Sequence, residues 1–150
     1  MIESSLTDSP GRRSVILGVA ASDAHAVANQ LIAAQLRAHR FEVVNLGVCT
    51  PLTEFADAYD AHPWAEAVLI GSLNGHARQD LRELPALRAA GRLDCPVVLG
   101  GNLTVGAHKR AGDLTALHAL GVDHILSDAT ELLPLLDLLH AARMPVPQRG

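Results

Sequence analysis

The sequence predicts a single α/β domain: a doubly wound, five-stranded parallel sheet covered by helices on both faces. Three observations carry that expectation. Short apolar runs alternate with helical patterns five times along the chain, which is the signature of consecutive βα units. The composition is 49% hydrophobic but only 3% aromatic, so the core is built from Ala, Leu and Val, as suits buried parallel strands. The length of 150 residues fits one domain, which at that size buries about two-thirds of its unfolded surface.

Taken in order, the expected elements are a strand at 15–20, a helix at 26–39, a strand at 41–47, a helix at 52–61 and a strand at 67–70. A helix at 79–90, a strand at 96–99, a helix at 107–120, a strand at 124–126 and a helix at 130–142 follow. The first helix places Val27, Leu31, Ala34 and Ala38 at the 3.6-residue spacing of an amphipathic face. Thr130 stands where a cap for the last helix belongs, and Pro134 falls near its first turn, where a missing N–H does little harm. The loops between units are short, and right-handed crossovers then place helices on both faces. The strand order expected is 2-1-3-4-5, the flavodoxin-like variant of the Rossmann-like sheet.

Residues 1–12 carry Ser, Thr, Asp, Pro and Gly without periodicity, and 144–150 end in Pro-Val-Pro-Gln-Arg-Gly, so both read as tails around a domain at 13–143. The formal charge is −4, and no Lys/Arg cluster interleaves with the aromatics Phe41, Phe55, Tyr59 and Trp64. That balance argues against nucleic acid and against a membrane surface as partners. The absence of an apolar run long enough to span a bilayer, or of a secretory signal pattern at the start, points to a cytoplasmic protein. Cys49 follows the second strand and Cys95 precedes the fourth, at opposite ends of strands about 17–20 Å long, so they are read as unpaired thiols.

Between the first strand and its helix the chain reads Ser22-Asp23-Ala24-His25-Ala26-Val27-Ala28, an imidazole and a carboxylate two residues apart. A histidine of this kind can ligate a metal through one ring nitrogen while a carboxylate fixes the other. One protein ligand cannot hold a bare ion. The pair therefore implies a metal that brings most of its own ligands, such as a tetrapyrrole-type cofactor, or no metal at all. The plain alternatives are a solvated loop histidine, an Asp23 that caps the helix, and a Ser72 that shapes a turn.

Ligands of open α/β sheets sit beyond the carboxyl ends of the strands, at the reversal of strand order. Four segments of interest emerge on that edge: Asp23 and His25; Gly71, Ser72 and Leu73; Gly100, Gly101 and Asn102; and Thr130. In the expected order His25 and Ser72 face one crevice between strands one and three. The two glycines at 100 and 101 let a flat or bulky ligand press against backbone. Other ligands of such sheets fit this edge poorly. A phosphorelay receiver needs an aspartate after strand three, where Gly71-Ser72-Leu73 stands. A flavin phosphate site wants a hydroxyl-rich first loop, and a dinucleotide site wants Gly-x-Gly-x-x-Gly there; neither is present.

Asp23-Ala24-His25-Ala26-Val27-Ala28, Gly71-Ser72-Leu73 and Gly100-Gly101 resemble the Asp-x-His-x-x-Gly, Ser-x-Leu and Gly-Gly motifs of B12-binding domains. The resemblance is to the small, cobalamin-binding subunit of glutamate mutase (methylaspartate mutase), and it covers 14–139. It implies that His25 replaces the cofactor's own base as the lower ligand of cobalt, with Asp23 hydrogen-bonded to the other ring nitrogen. Ser22, Ala24 and Ala26 would flank the ligand. The nucleotide arm would run into the crevice lined by Gly71, Ser72, Leu73, Gly100, Gly101, Asn102, Leu103 and Thr104, with Thr130 after strand five. The motif's glycine is Ala28 here. Its serine is Gly71, which removes one neutral hydrogen bond, worth about 0.5–1.5 kcal/mol, unless Ser72 or water supplies it.

The implied activity is that of an isomerase subunit, inactive alone. It would carry adenosylcobalamin for a carbon-skeleton rearrangement of glutamate to 3-methylaspartate, or of a related amino acid, with a separate large barrel subunit. No catalytic residue is assigned to this chain, since the hard chemistry belongs to the cofactor. Rival readings are a stand-alone cobalamin carrier or sensor, and a ligand-free flavodoxin-like interaction module.

Overall fold

The computed structural model describes residues 13–20, 26–72, 77–100 and 111–143. Strand β1 (Arg13–Val19) is followed by α1 (Ala26–Ala38), β2 (Phe41–Asn45), α2 (Leu52–Ala61) and β3 (Val68–Gly71). Two short helices, α3 (Ala77–Asp80) and α4 (Leu84–Ala89), lead to β4 (Val97–Gly100). Helix α5 (Ala111–Leu120), strand β5 (His124–Ile125), a 3-10 turn (Ala129–Glu131) and α6 (Leu132–Arg143) complete the order. The five strands are all parallel and run β2-β1-β3-β4-β5, the order expected from the sequence.

Strand residues alternate between the two sides of the sheet, and the core divides accordingly. Val15, Leu17, Leu69 and Val98 pack with Ala33 and Leu36 of α1 and with Leu132 and Leu136 of α6. Ile16, Val68, Ile70, Val97 and Leu99 pack on the other side against Phe55, Leu84 and Leu117 from α2, α4 and α5. Chain order explains this division. The crossover from β1 to β2 runs opposite to the three later ones, so a constant hand puts α1 on its own face, and α6 returns beside it.

The buried side of α1 is Asn29, Ala33 and Leu36. The face marked by spacing, Val27, Leu31, Ala34 and Ala38, points outward instead, with Val27 72% and Leu31 66% exposed. Alanine is spread around this helix, so its apolar spacing fits two faces, and the small Ala33 allows the close approach that packing selects. The single helix expected at 79–90 is two helices. Pro85 sits at the first turn of α4, where its ring and missing N–H are tolerated, but it cannot continue a helix from α3.

The far end of the sheet is tied by Arg13. Its guanidinium donates to Glu66 at 2.9 and 3.0 Å, to Asp137 at 2.7 Å and to the carbonyl of Leu136 at 2.9 Å, and it lies 4.5 Å from the Phe41 ring centroid. One side chain thereby joins β1, β2 and α6. Glu66 is buried, so this pairing also prevents a stranded carboxylate. Cys49 is exposed and Cys95 buried, and both thiols are free. Burial in an apolar setting pushes the Cys95 thiol up to about 12, so it stays protonated and inert.

Gly18 fixes how closely α2 approaches the sheet. A β-carbon at position 18 would stand 2.7 Å from Cζ and 2.9 Å from Cε1 of Phe55, which is fully buried and cannot retreat. Gly18→Ala is expected to lower stability by about 1–3 kcal/mol through overpacking, measured by chemical denaturation.

Candidate functional site

A cleft of about 210 Å³ opens at the carboxyl end of the sheet, on the side of α1 and α6. Its floor is β1, β3 and β4, through Leu17 and Val19, Leu69 and Gly71, and Val98 and Gly100. One wall is Ala28, Asn29 and Ile32 of α1; the other is residues 126–129 together with Leu132 of α6. The space reaches from the β1/β3 switch point across β4, as the fold predicts for a ligand site.

Register makes the floor flat. Val19 is paired with Gly71, and Gly71 with Gly100, so two residues without β-carbons lie side by side at the mouth of the cleft. Among the described residues, a β-carbon at Gly100 would meet nothing within 4 Å, and one at Gly71 would meet its nearest neighbours at 3.9 Å. Packing among the described residues does not demand these glycines, and they leave open space above the floor. Gly18, by contrast, is demanded by packing.

The α1 wall carries the cleft's buried polar group. Backbone N–H of Gly47 donates to Oδ1 of Asn45 at 3.0 Å, and Nδ2 of Asn45 donates to Oδ1 of Asn29 at 2.8 Å. A backbone N–H can only donate, so it fixes the orientation of both amides. Among the described residues, Nδ2 of Asn29 is left as a buried donor without a partner. Gly47 closes this corner in the left-handed region, at φ 84°. The chain beyond it pairs on to β1 through Thr50 N–H to the Val19 carbonyl at 2.8 Å.

The opposite wall is an anionic turn. Asp128, not Thr130, caps the segment entering α6: its carboxylate accepts from the Thr130 N–H at 2.8 Å and from the Thr130 hydroxyl at 3.0 Å. Those bonds, the backbone one foremost, hold the Asp128 carboxyl below its usual range. Aspartate accepts without needing to orient a proton and favours the positive end of the helix, which is why it takes the cap over the threonine two residues on. Glu131 secures the turn by accepting from the Ser127 N–H at 2.9 Å.

Among the residues expected at the site, Gly71 and Gly100 form the floor and Ala26 opens α1, half-buried. Ser72 is fully buried, its hydroxyl has no partner among the described residues, and it does not line the cleft. The alternation of β3 carries it to the side of Val68 and Ile70. Thr130 is exposed on the turn, and its neighbours Ser127, Asp128 and Ala129 line the cleft instead. Ser22, Asp23, Ala24, His25, Leu73, Gly101, Asn102, Leu103 and Thr104 lie outside the described residues. Sequence reasoning missed Asn29 and Asp128. A polar residue inside an otherwise apolar stretch of helix was the available signal for the first, and an Asp two residues ahead of Thr130 for the second.

Residues 13–136 match the B12 binding domain family. The chain is 40% identical over 129 residues to glutamate mutase sigma subunit 2 of Haloarcula marismortui, covering 86% of each chain. It is 42% identical over 123 residues to the glutamate mutase sigma subunit of Halobacterium salinarum, covering 82% of each. It is 31% identical over 131 residues to that of Escherichia coli O157:H7, covering 85% of this chain and 86% of the relative. In fold it resembles a cobalamin-binding protein from Desulfitobacterium hafniense, with TM-score 0.70, 23% identity, and coverage of 86% of this chain and 60% of that one. With a flat glycine floor at the switch point and relatives matched over most of their length, the chain belongs to the B12-binding glutamate mutase sigma subunits.

Proposed function

We propose that this chain is the cobalamin-binding small subunit of an adenosylcobalamin-dependent carbon-skeleton mutase, acting on glutamate or a related amino acid with a separate large barrel subunit. The observation that carries this reading is the cleft over Gly71 and Gly100 at the switch point, in a chain that matches a sigma subunit across 86% of both lengths.

The residues present suit the cofactor. An apolar cleft with two glycines side by side in its floor and a buried donor unsatisfied among the described residues fits a flat, largely apolar group that carries acceptors. His25 is the residue that would hold cobalt, through one ring nitrogen, and Asp23 would accept from the other and fix the tautomer. Both stand in residues 21–25, which join Ala20 at the end of the floor to α1 in its wall. Ser22, Ala24 and Ala26 would border the ring, and Gly101, Asn102, Leu103 and Thr104 would continue the rim from Gly100. Bound adenosylcobalamin supplies radical chemistry, and the large subunit holds the substrate. This chain's part is to bind, orient and shield the cofactor's lower side.

Protein labelled with ¹⁵N-histidine and loaded with the cob(II)alamin form is expected to show the histidine nitrogen's hyperfine splitting in EPR. His25→Gly removes that splitting, and an unchanged spectrum in that variant takes His25 off the metal. Asp23→Ala is expected to weaken cobalamin binding by about 10- to 100-fold, measured by absorbance titration.

Two substitutions examine the floor. Gly100→Leu places a side chain in open space at a position whose φ is not left-handed, so binding is lost while the melting temperature holds. Retained binding would show that the cleft is not the ligand site. Gly71→Ser restores the family's hydroxyl where a β-carbon fits without a clash, and is expected to tighten cobalamin binding several-fold, at most about tenfold, by titration.

A further inference from the structure

We propose that the side-chain amide of Asn29 anchors the ligand in the cleft, donating a hydrogen bond from Nδ2 to a neutral acceptor on the nucleotide arm of the cofactor. The inference rests on the cobalamin-binding reading above and adds a residue and a chemistry to it.

Three observations lead there. Asn29 is 5% exposed, lines the cleft, and its Nδ2 has no partner among the described residues. The relay from Gly47 through Asn45 fixes the amide, so the free end is a donor and needs an acceptor. A flip of Asn29 would set two NH₂ groups against each other at the Asn45–Asn29 contact unless Asn45 flipped as well, and that would turn its NH₂ onto the Gly47 N–H. Finally, buried donors in folded proteins are nearly always satisfied, and those that are not are commonly functional.

The acceptor is neutral. Among its described residues the cleft is lined by no Lys, Arg or His, and its opposite wall holds the Asp128 carboxylate. An anionic phosphate would find no compensating cation among those lining residues. A ring nitrogen of the heterocyclic base, or a ribose oxygen, meets the donor without that penalty and keeps its apolar faces against Leu17, Leu69, Val98 and Ile32.

The test compares cobalamin with cobinamide, which has the same ring but lacks the nucleotide arm, using the full chain and absorbance titration. Asn29→Asp keeps an oxygen for Asn45 and removes the donor. Cobalamin affinity is expected to fall about tenfold or more, with cobinamide affinity unchanged within about twofold. Equal losses for both ligands, or no loss for either, overturn the proposal. A second measurement needs no variant of uncertain stability. In ¹⁵N-labelled wild-type protein, the Asn29 side-chain NH₂ signals are expected to shift on adding cobalamin and to hold still on adding cobinamide. Signals that ignore cobalamin, or respond alike to both, overturn it. Wild-type protein that binds no cobalamin at all overturns the parent reading and this one together; binding without Asn29 dependence overturns this one alone.

Discussion

The site depends on the register of three parallel strands. Because β1 pairs with β3 and β3 with β4 so that Val19, Gly71 and Gly100 fall in one row, the two glycines lie together rather than a pleat apart. A slip of one residue would send both to the other side of the sheet, where Ile70 and Leu99 now fill the core. Register here is held strongly, since both faces are buried and each strand contributes to two cores. The cleft is therefore a product of the whole sheet rather than of a loop, and it is as rigid as the sheet is.

What the sheet leaves open, the two walls make selective. The α1 wall presents a donor whose direction is set by backbone, two amides away. The other wall presents an exposed, ionised carboxylate already engaged by Thr130, so it needs no ligand of its own. Arg13 steadies this second wall from the distant end of the molecule, since its bonds to Asp137 and to the Leu136 carbonyl fix α6, whose first residue lines the cleft.

Much of the architecture was legible in the sequence because each βα unit announces itself by an apolar run and a helix period. Strand order, strand count and the place of the crevice follow from those units and from crossover handedness. The misreadings have distinct causes. Spacing in α1 chose Val27 and Leu31 because they are large, whereas packing chose Asn29, Ala33 and Leu36 because small and shape-matched residues let the helix sit close. The helix at 79–90 ignored Pro85, a local breaker that outweighs periodicity. Thr130 was read as a cap because a hydroxyl suits that place, but Asp128 makes the stronger, charge-assisted bond. Gly71 and Gly100 were legible because a missing side chain leaves a trace in the sequence. Asn29 was not, because its meaning depends on Asn45, sixteen residues away.

That pair of amides also bears on how tightly the ligand can be held. A neutral hydrogen bond contributes about 0.5–1.5 kcal/mol net when its groups begin in water, yet a buried donor left unpaired costs about 1–3 kcal/mol. Asn29 begins buried, so its desolvation is already met by the folding of the ligand-free chain, and an incoming acceptor recovers it. The hydroxyl absent at Gly71 has no such standing cost, because a glycine leaves no donor behind. Loss at position 71 and retention at position 29 are thus unequal events: the first forgoes a modest bond, and the second keeps the group whose unmet donor would otherwise weigh on stability. A chain can drop the serine and still bind, whereas dropping the donor at Asn29 would remove the one polar anchor that folding has placed in the α1 wall.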